Sequence, residues 1–310
     1  MIPVLASIGF ISVSTLGLMS FVGFMWAVFL IWKKFKQEHF DDEQIFDLAF
    51  LGLLWGVVGA RLMYVFLHLS QFGLHFVKWF MVSDFNQMYW LGFIVGIYWF
   101  VVISAKKNKW QKYEILDWLV PGILMAQVWV NFGHFLAGDI LGKISKMPWA
   151  VYHPNLQQKL HPIGLYLALL FLLEYFLVIW LEKHYRLFTW YQDKRGTARP
   201  GFVWIAFLLV NFLIQFFISF FTNKSDVFLY LSWYQIILFI SILSLIPIFL
   251  ERSGRWSFID WWQSLLNPEE EEPIRKPMVL KSKKPEQRTK NSLTKKKRRF
   301  VRAKVGTTLK

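Results

Sequence analysis

Few residues in this chain can do chemistry, and most of them interrupt apolar runs. Arg61 follows Gly56-Val57-Val58-Gly59-Ala60 and precedes Leu62-Met63-Tyr64. Its five fixed donors suit a phosphate or a carboxylate. The bland alternative is a structural ion pair with an acid such as Asp117. A second cluster is Asn131-Phe132-Gly133-His134-Phe135-Leu136-Ala137-Gly138-Asp139. If a helix persists there, Asn131, His134 and Gly138 share one face, since i, i+3 and i+7 align. Its glycines predict instead that the helix breaks near that point. An imidazole titrates near neutrality, so His134 is a candidate base. It is equally a candidate for an ordinary satisfied hydrogen-bonder. The third cluster runs from Pro148-Trp149 through Tyr152-His153-Pro154 to His161-Pro162 and Tyr166. Proline suits the first turn of a helix, which sets His161 at a helix entrance. Further on, Glu174 is an isolated carboxylate in an apolar run, and Asn211 and Gln215 lie i, i+4.

The elements that must carry these groups follow from composition. The chain has 310 residues, 55% of them hydrophobic, with 32 Phe, 17 Trp and no Cys. Lack of cysteine excludes a disulfide framework, a thiol nucleophile and a Cys-ligated metal. No metal-ligand spacing and no Gly-rich phosphate loop is present, so no metal and no cofactor is expected. The hydrocarbon core of a bilayer is about 30 Å thick and needs roughly 20 mostly apolar residues to cross it. Seven stretches qualify, at approximately 12–32, 47–68, 88–104, 115–136, 162–181, 201–222 and 228–250. The predicted fold is all-α, a polytopic membrane protein of seven transmembrane helices. A polar group at that depth is expensive, so each cluster above is a functional candidate. Arg61 falls near the middle of its span, with Gly56 and Ala60 as a small-xxx-small step for a neighbouring helix.

Charge sets the orientation. The net charge is +15, yet residues 251–310 hold 17 of the 35 Lys+Arg. Loops after the first, third and fifth spans carry twelve Lys or Arg, from Lys33 to Arg199, against five in the alternate loops. The positive-inside rule then predicts an outside N-terminus and a cytoplasmic C-terminus. No positive charge precedes the first apolar run, which is too long for a signal h-region, so it is expected to remain as a span. Residues 1–250 form the membrane domain. Residues 251–267, with Trp256, Trp261 and Trp262, are expected to lie in the interface. Residues 268–310 read as a disordered basic tail. It is either a solvated extension or a segment drawn to anionic headgroups at about 1 kcal/mol per basic residue. Nucleic acid is a weak third partner, since stacking aromatics are almost absent there.

Taken in order, these pieces resemble the prolipoprotein diacylglyceryl transferase family. They are Gly59-Ala60-Arg61-Leu62-Met63-Tyr64-Val65, Asp117 with Pro121, and Gly133, Phe135, Gly138, Asp139 and Gly142 of a glycine-rich signature. Pro148-Trp149, His161-Pro162 with Leu165-Tyr166, Gly201, and Ser232 with Gln235 follow. The resemblance covers roughly residues 8–250. It implies a multi-pass enzyme of the bacterial plasma membrane that moves diacylglycerol from phosphatidylglycerol to the lipobox cysteine of a preprolipoprotein. A thioether forms and glycerol phosphate leaves. It further implies that His134 or His161 accepts the thiol proton and that Arg61 holds the phosphate. Asn131, Asp139, Tyr166, Asn211 and Gln215 would orient lipid or its headgroup. The partners are phosphatidylglycerol or another anionic lipid, the preprolipoprotein, and the membrane.

Several motif positions differ from the family pattern. Asn131 and His134 stand where it has Arg and Asn, and Leu91-Gly92-Phe93 stands where it has His-Gly-Gly. Ile163, Gly164 and Leu167 replace Ser, Gln and Glu, and Asn211, Gln215 and Ile218 replace Arg, Glu and Arg. A descendant of the fold that binds lipid or partner proteins without catalysis is the alternative reading. A transporter is a remoter one, because no internal repeat is present.

Overall fold

The computed structural model describes residues 4–8, 11–73, 79, 88–154, 156–185, 199–222 and 231–253. A short antiparallel hairpin, β1 (Val4–Ile8) and β2 (Ile11–Ser14), leads into α1 (Thr15–Gln37). Then come α2 (Asp42–Leu67), the single turn α3 (Leu69–Phe72), α4 (Trp90–Asn108) and α5 (Lys112–Ala137). A second hairpin, β3 (Val151–His153) with β4 (Gln158–Leu160), precedes α6 (Ile163–Tyr185), α7 (Phe202–Ser219) and α8 (Trp233–Arg252). The seven long helices match the seven predicted spans, and each is long and apolar enough to cross a membrane. The two hairpins are additions to the all-helical expectation. Strands of three to five residues are too short for a hydrophobic pattern to mark them in the sequence. The tail beyond Ser253, with the interfacial segment at 251–267 almost entirely in it, lies outside the described residues.

Local chemistry explains where the helices begin and end. Ser14 caps α1, its Oγ accepting from the Gly17 N–H at 3.0 Å. Ser232 and Gln235 form a reciprocal capping box at the start of α8, as S-x-x-Q before an apolar run predicts. The glycine-rich cluster ends α5 where expected: Gly138 adopts φ +74°, and its N–H returns to the His134 carbonyl at 2.8 Å.

Outward faces are apolar. Phe21, Phe66, Leu173, Phe217 and Ile240 are each at least 60% exposed, a surface that lipid covers and water does not. α5, among the least hydrophobic spans, is the most buried of the seven, so protein rather than lipid surrounds it. Its Gly122 meets Ala27 and Ile31 of α1, and its Gly133 meets Leu16 and Met19. α2 packs as tightly on α4. A Cβ on Gly59 would sit 2.4 Å from the Gly92 carbonyl oxygen, and one on Gly96 2.2 Å from that of Trp55. The small residues of α2 act as expected: a Cβ on Gly96 would lie 3.2 Å from the Gly56 Cα and one on Gly92 3.0 Å from the Ala60 Cα, with Gly59 part of the same close contact. Arg61 is correspondingly six residues from the end of α2, not at its middle.

The two tight pairs, α1 with α5 and α2 with α4, leave a gap between them. Across the bundle α7 lies beside α5 in the same direction, and α8 runs back along α7. The face at which α1 begins also holds the ends of α2, α5 and α7, the starts of α4, α6 and α8, and the β3–β4 hairpin. We call it the first face. The opposite face carries the ion pairs Lys34–Glu182, Lys36–Asp42 and Arg199–Glu251.

Candidate functional site at the first face

The gap between the two helix pairs is a cavity of about 630 Å³. One end reaches Leu16, Tyr89 and His134 near the first face; the other reaches Ile31, Leu48 and Leu119. Fifteen residues of α1 separate Leu16 from Ile31, which at 1.5 Å per residue is about 22 Å of wall. Its polar lining is confined to the first-face half: Ser20, Tyr89, Gln127, Asn131, His134 and Gln215, with the Trp90 indole behind them. The rest is Leu, Ile, Val, Ala, Phe and Gly apart from Met88. A long slot, polar at one end and apolar at the other, has the shape of an acyl-chain lipid.

His134 is the residue that links this cavity to the loop chemistry. It lines the cavity, and with His161 and Gly164 it also lines a small cleft of about 10 Å³ beneath the β3–β4 hairpin. Such a space holds about one water molecule. Nδ1 of His134 is 2.9 Å from both carboxylate oxygens of Asp139. The contact exists because the left-handed turn at Gly138 brings Asp139 back over the last turn of α5. A carboxylate accepts, so in the neutral ring Nδ1 carries the hydrogen and Nε2 keeps the lone pair.

His161 is placed by backbone pairing. Its N–H donates to the Lys143 carbonyl at 3.0 Å, and a Cβ on Gly142 would sit 2.3 Å from the His161 carbonyl oxygen. Its Nδ1 lies 3.2 Å from the Tyr166 hydroxyl, which also accepts from the Trp149 indole at 2.7 Å. Tyr166 is thus a partner of His161 in the cleft. His153 completes the cleft, buried and with no hydrogen bond to its Nδ1. Among the described residues no group of three acidic, histidine or cysteine side chains has the geometry to hold a metal ion.

Asn211 and Gln215 belong to a buried network between α4, α5, α6, α7 and α8. Asn211 Nδ2 donates to Gln127 Oε1 at 3.0 Å and to Glu174 Oε2 at 3.1 Å. Asn211 Oδ1 accepts from the Trp90 indole at 3.0 Å and from Gln215 Nε2 at 2.8 Å. The Tyr234 hydroxyl in turn donates to Gln215 Oε1. Asn131 turns its Nδ2 back to the Gln127 backbone carbonyl at 2.8 Å. Most of this network is paired, although Glu174 Oε1 is buried without a hydrogen bond; paired amides cost less to bury than charges, which would need partners of opposite sign.

Arg61 lines neither space. It is buried in α2, its Nε donating to the Trp79 carbonyl at 3.0 Å. Its guanidinium carbon lies 5.6 Å from the Tyr64 ring centre and 5.2 Å from that of Phe72. Tyr64 stacks on His68 and lies 5.7 Å from Tyr89, so one aromatic layer stands between Arg61 and the cavity wall. Asp117 is elsewhere: its two oxygens accept from the Gly201 and Trp204 N–H groups at the start of α7, each at 2.8 Å. The alternative of an Arg61–Asp117 ion pair is therefore replaced by a helix cap.

Of the sequence-derived candidates, then, Asn131, His134, Asp139, His161 and Tyr166 come together at the first-face end of the cavity. Gln215 edges the same cavity, Asn211 stands behind it, and Arg61 is one layer away. Sequence reasoning missed Gln127, although it lies i−4 from Asn131 and i−7 from His134 on the same helical face. It also left Glu174 and His153 without a role, and nothing in the sequence marked Tyr89, Trp90 or Tyr234.

Comparison with known proteins agrees with the resemblance. The sequence profile of the family described as prolipoprotein diacylglyceryl transferase matches residues 3–250. The chain is similar to three proteins bearing the name phosphatidylglycerol–prolipoprotein diacylglyceryl transferase. That of Clostridium tetani is 28% identical over 207 residues, 64% of this chain and 82% of the relative. That of Vibrio atlanticus is 32% identical over 194 residues, 58% and 68% respectively. That of Coxiella burnetii is 30% identical over 224 residues, 71% and 81%.

Proposed function

This chain belongs to the prolipoprotein diacylglyceryl transferase family, and on that premise we propose that it transfers diacylglycerol from phosphatidylglycerol to the cysteine thiol of a preprolipoprotein. The thiolate sulfur attacks the glyceryl carbon that carries the phosphate ester. The C–S bond forms, the C–O bond breaks, and glycerol phosphate leaves with the electron pair. The thiol proton passes to an imidazole, since the thiol itself is the poorer nucleophile.

The observation that carries this reading is the position of His134. It stands at the polar end of a lipid-shaped cavity, with Asp139 holding Nδ1 at 2.9 Å and Nε2 left for substrate. A base oriented by a third group is the arrangement that activates a nucleophile. His161, held by Tyr166, is the second proton acceptor in the cleft. Asn131 and Gln215 orient the lipid from the cavity wall, and Asn211 holds Gln215. Arg61 is the only buried Lys or Arg among the described residues, and we assign it the phosphate. The first face is taken to look outward in the bacterial plasma membrane, with the basic loops and the tail in the cytoplasm.

Membranes containing the protein, incubated with phosphatidylglycerol and a lipobox peptide, are expected to yield a thioether-modified peptide detectable by mass. No product, under conditions where the Clostridium tetani relative gives one, overturns the reading. His134→Ala is expected to lower the rate by about 100-fold or more, the scale of general-base catalysis.

A further inference from the structure

We propose that the side-chain amide of Gln127 donates a hydrogen bond to an ester carbonyl of the bound lipid, so that the site selects ester-linked over ether-linked glycerolipids. The inference rests on the reading of the cavity as a glycerolipid site. It starts from an indole. The Trp90 Nε1–H can only donate, so the Asn211 atom it meets at 3.0 Å is the carbonyl oxygen. The other end of the Asn211 amide is therefore its NH2, which donates to Glu174 and to Gln127. Gln127 must offer its oxygen to that NH2, at 3.0 Å. This leaves the NH2 of Gln127 as a donor with no bond to any protein group, on a side chain that lines the cavity.

Its depth identifies what it meets. Gln127 is one turn deeper than Asn131 and two turns deeper than His134, about 10 Å along α5. Beyond it the same wall continues as Ile123 and Leu119, with no further polar atom. Gln127 is thus the last polar group before the cavity turns apolar. A glycerolipid changes character at one place only, at the ester carbonyls between its headgroup and its chains. Those carbonyls are acceptors without donors, and the Gln127 NH2 is a buried donor in want of an acceptor. An unmade bond at such a site costs more than a made one yields, so the match discriminates against a lipid without the carbonyl.

The test compares dioleoyl phosphatidylglycerol with its dioleyl diether, competed against a fluorescent phosphatidylglycerol on the full chain in detergent micelles. The protein is expected to bind the diester about five-fold more tightly, the ratio that one neutral hydrogen bond supplies. Gln127→Leu should bring that ratio to about one, with diether affinity rising because no donor is left unmade. Gln127→Met keeps the length of the side chain, loses the donor, and should lose the preference in the same way. Equal binding of the two lipids by the unsubstituted protein overturns the proposal even if neither variant folds. An undiminished ratio in either folded variant also overturns it. Transfer to a lipobox peptide is measured separately. Ester preference without transfer sinks the proposed reaction and leaves Gln127 standing; transfer without ester preference does the reverse.

Discussion

Replacing Asp117 by asparagine removes half of a helix cap that comes from a different helix. Both carboxylate oxygens accept backbone N–H bonds at the start of α7, from Gly201 and from Trp204, each at 2.8 Å. The carboxylate is buried, at 5% exposure, so water does not take its place. Hydrogen bonds to a charged group contribute about 1.5–3 kcal/mol each, and an unpaired buried donor costs about 1–3 kcal/mol. Asparagine keeps one oxygen and turns an NH2 toward the second N–H, for a loss of about 2 kcal/mol. Alanine strands both donors, for a loss of about 4 kcal/mol by the same figures. At 1.4 kcal/mol per factor of ten, the asparagine change lowers the folded-to-unfolded ratio by about 30-fold. Titration of the purified protein with SDS in mixed micelles, followed by the fluorescence of its 17 Trp, reads this directly. Asp117→Asn should unfold at lower SDS and Asp117→Ala at lower still. A variant pair that unfolds together with the unsubstituted protein would refute the cap as a source of stability. Equal losses in the two variants would show that the oxygens do not act separately.

The other substitutions probe packing, the phosphate contact and a local cap. Gly92→Ala places a Cβ 2.4 Å from the Gly59 carbonyl oxygen, so it should separate α2 from α4 and cost about 2–3 kcal/mol in the same SDS titration. Gly164→Gln introduces a Cβ that lies 2.6 Å from the Phe135 nitrogen; it should destabilise the protein and lower transfer. Arg61→Gln should raise KM for phosphatidylglycerol with a smaller change in kcat, while Arg61→Lys keeps part of the effect; an unchanged KM removes Arg61 from phosphate binding. Ser232→Ala breaks the capping box at the start of α8 and should cost about 1 kcal/mol without changing lipid binding.

What could be read from the amino acids alone was whatever depends on neighbours along the chain. Seven runs of about 20 apolar residues give seven helices, because backbone groups in lipid must be paired within the segment. The end of α5 at Gly138 and the capping box at Ser232 are equally local. So was the grouping of Asn131, His134 and Asp139, which needs only a helix and a left-handed turn. The order of the motif residues was enough for the family. Tertiary structure decided the partners of each polar group, since these come from helices distant in sequence. Asp117 was as plausible an ion-pair partner for Arg61 as a cap for α7 until the start of α7 was brought to it. Gln127 carried no signal of function until Trp90, 37 residues earlier, and Asn211, 84 residues later, fixed which end of its amide faces the cavity. A sequence lists donors and acceptors, and only the fold says which of them have already been used.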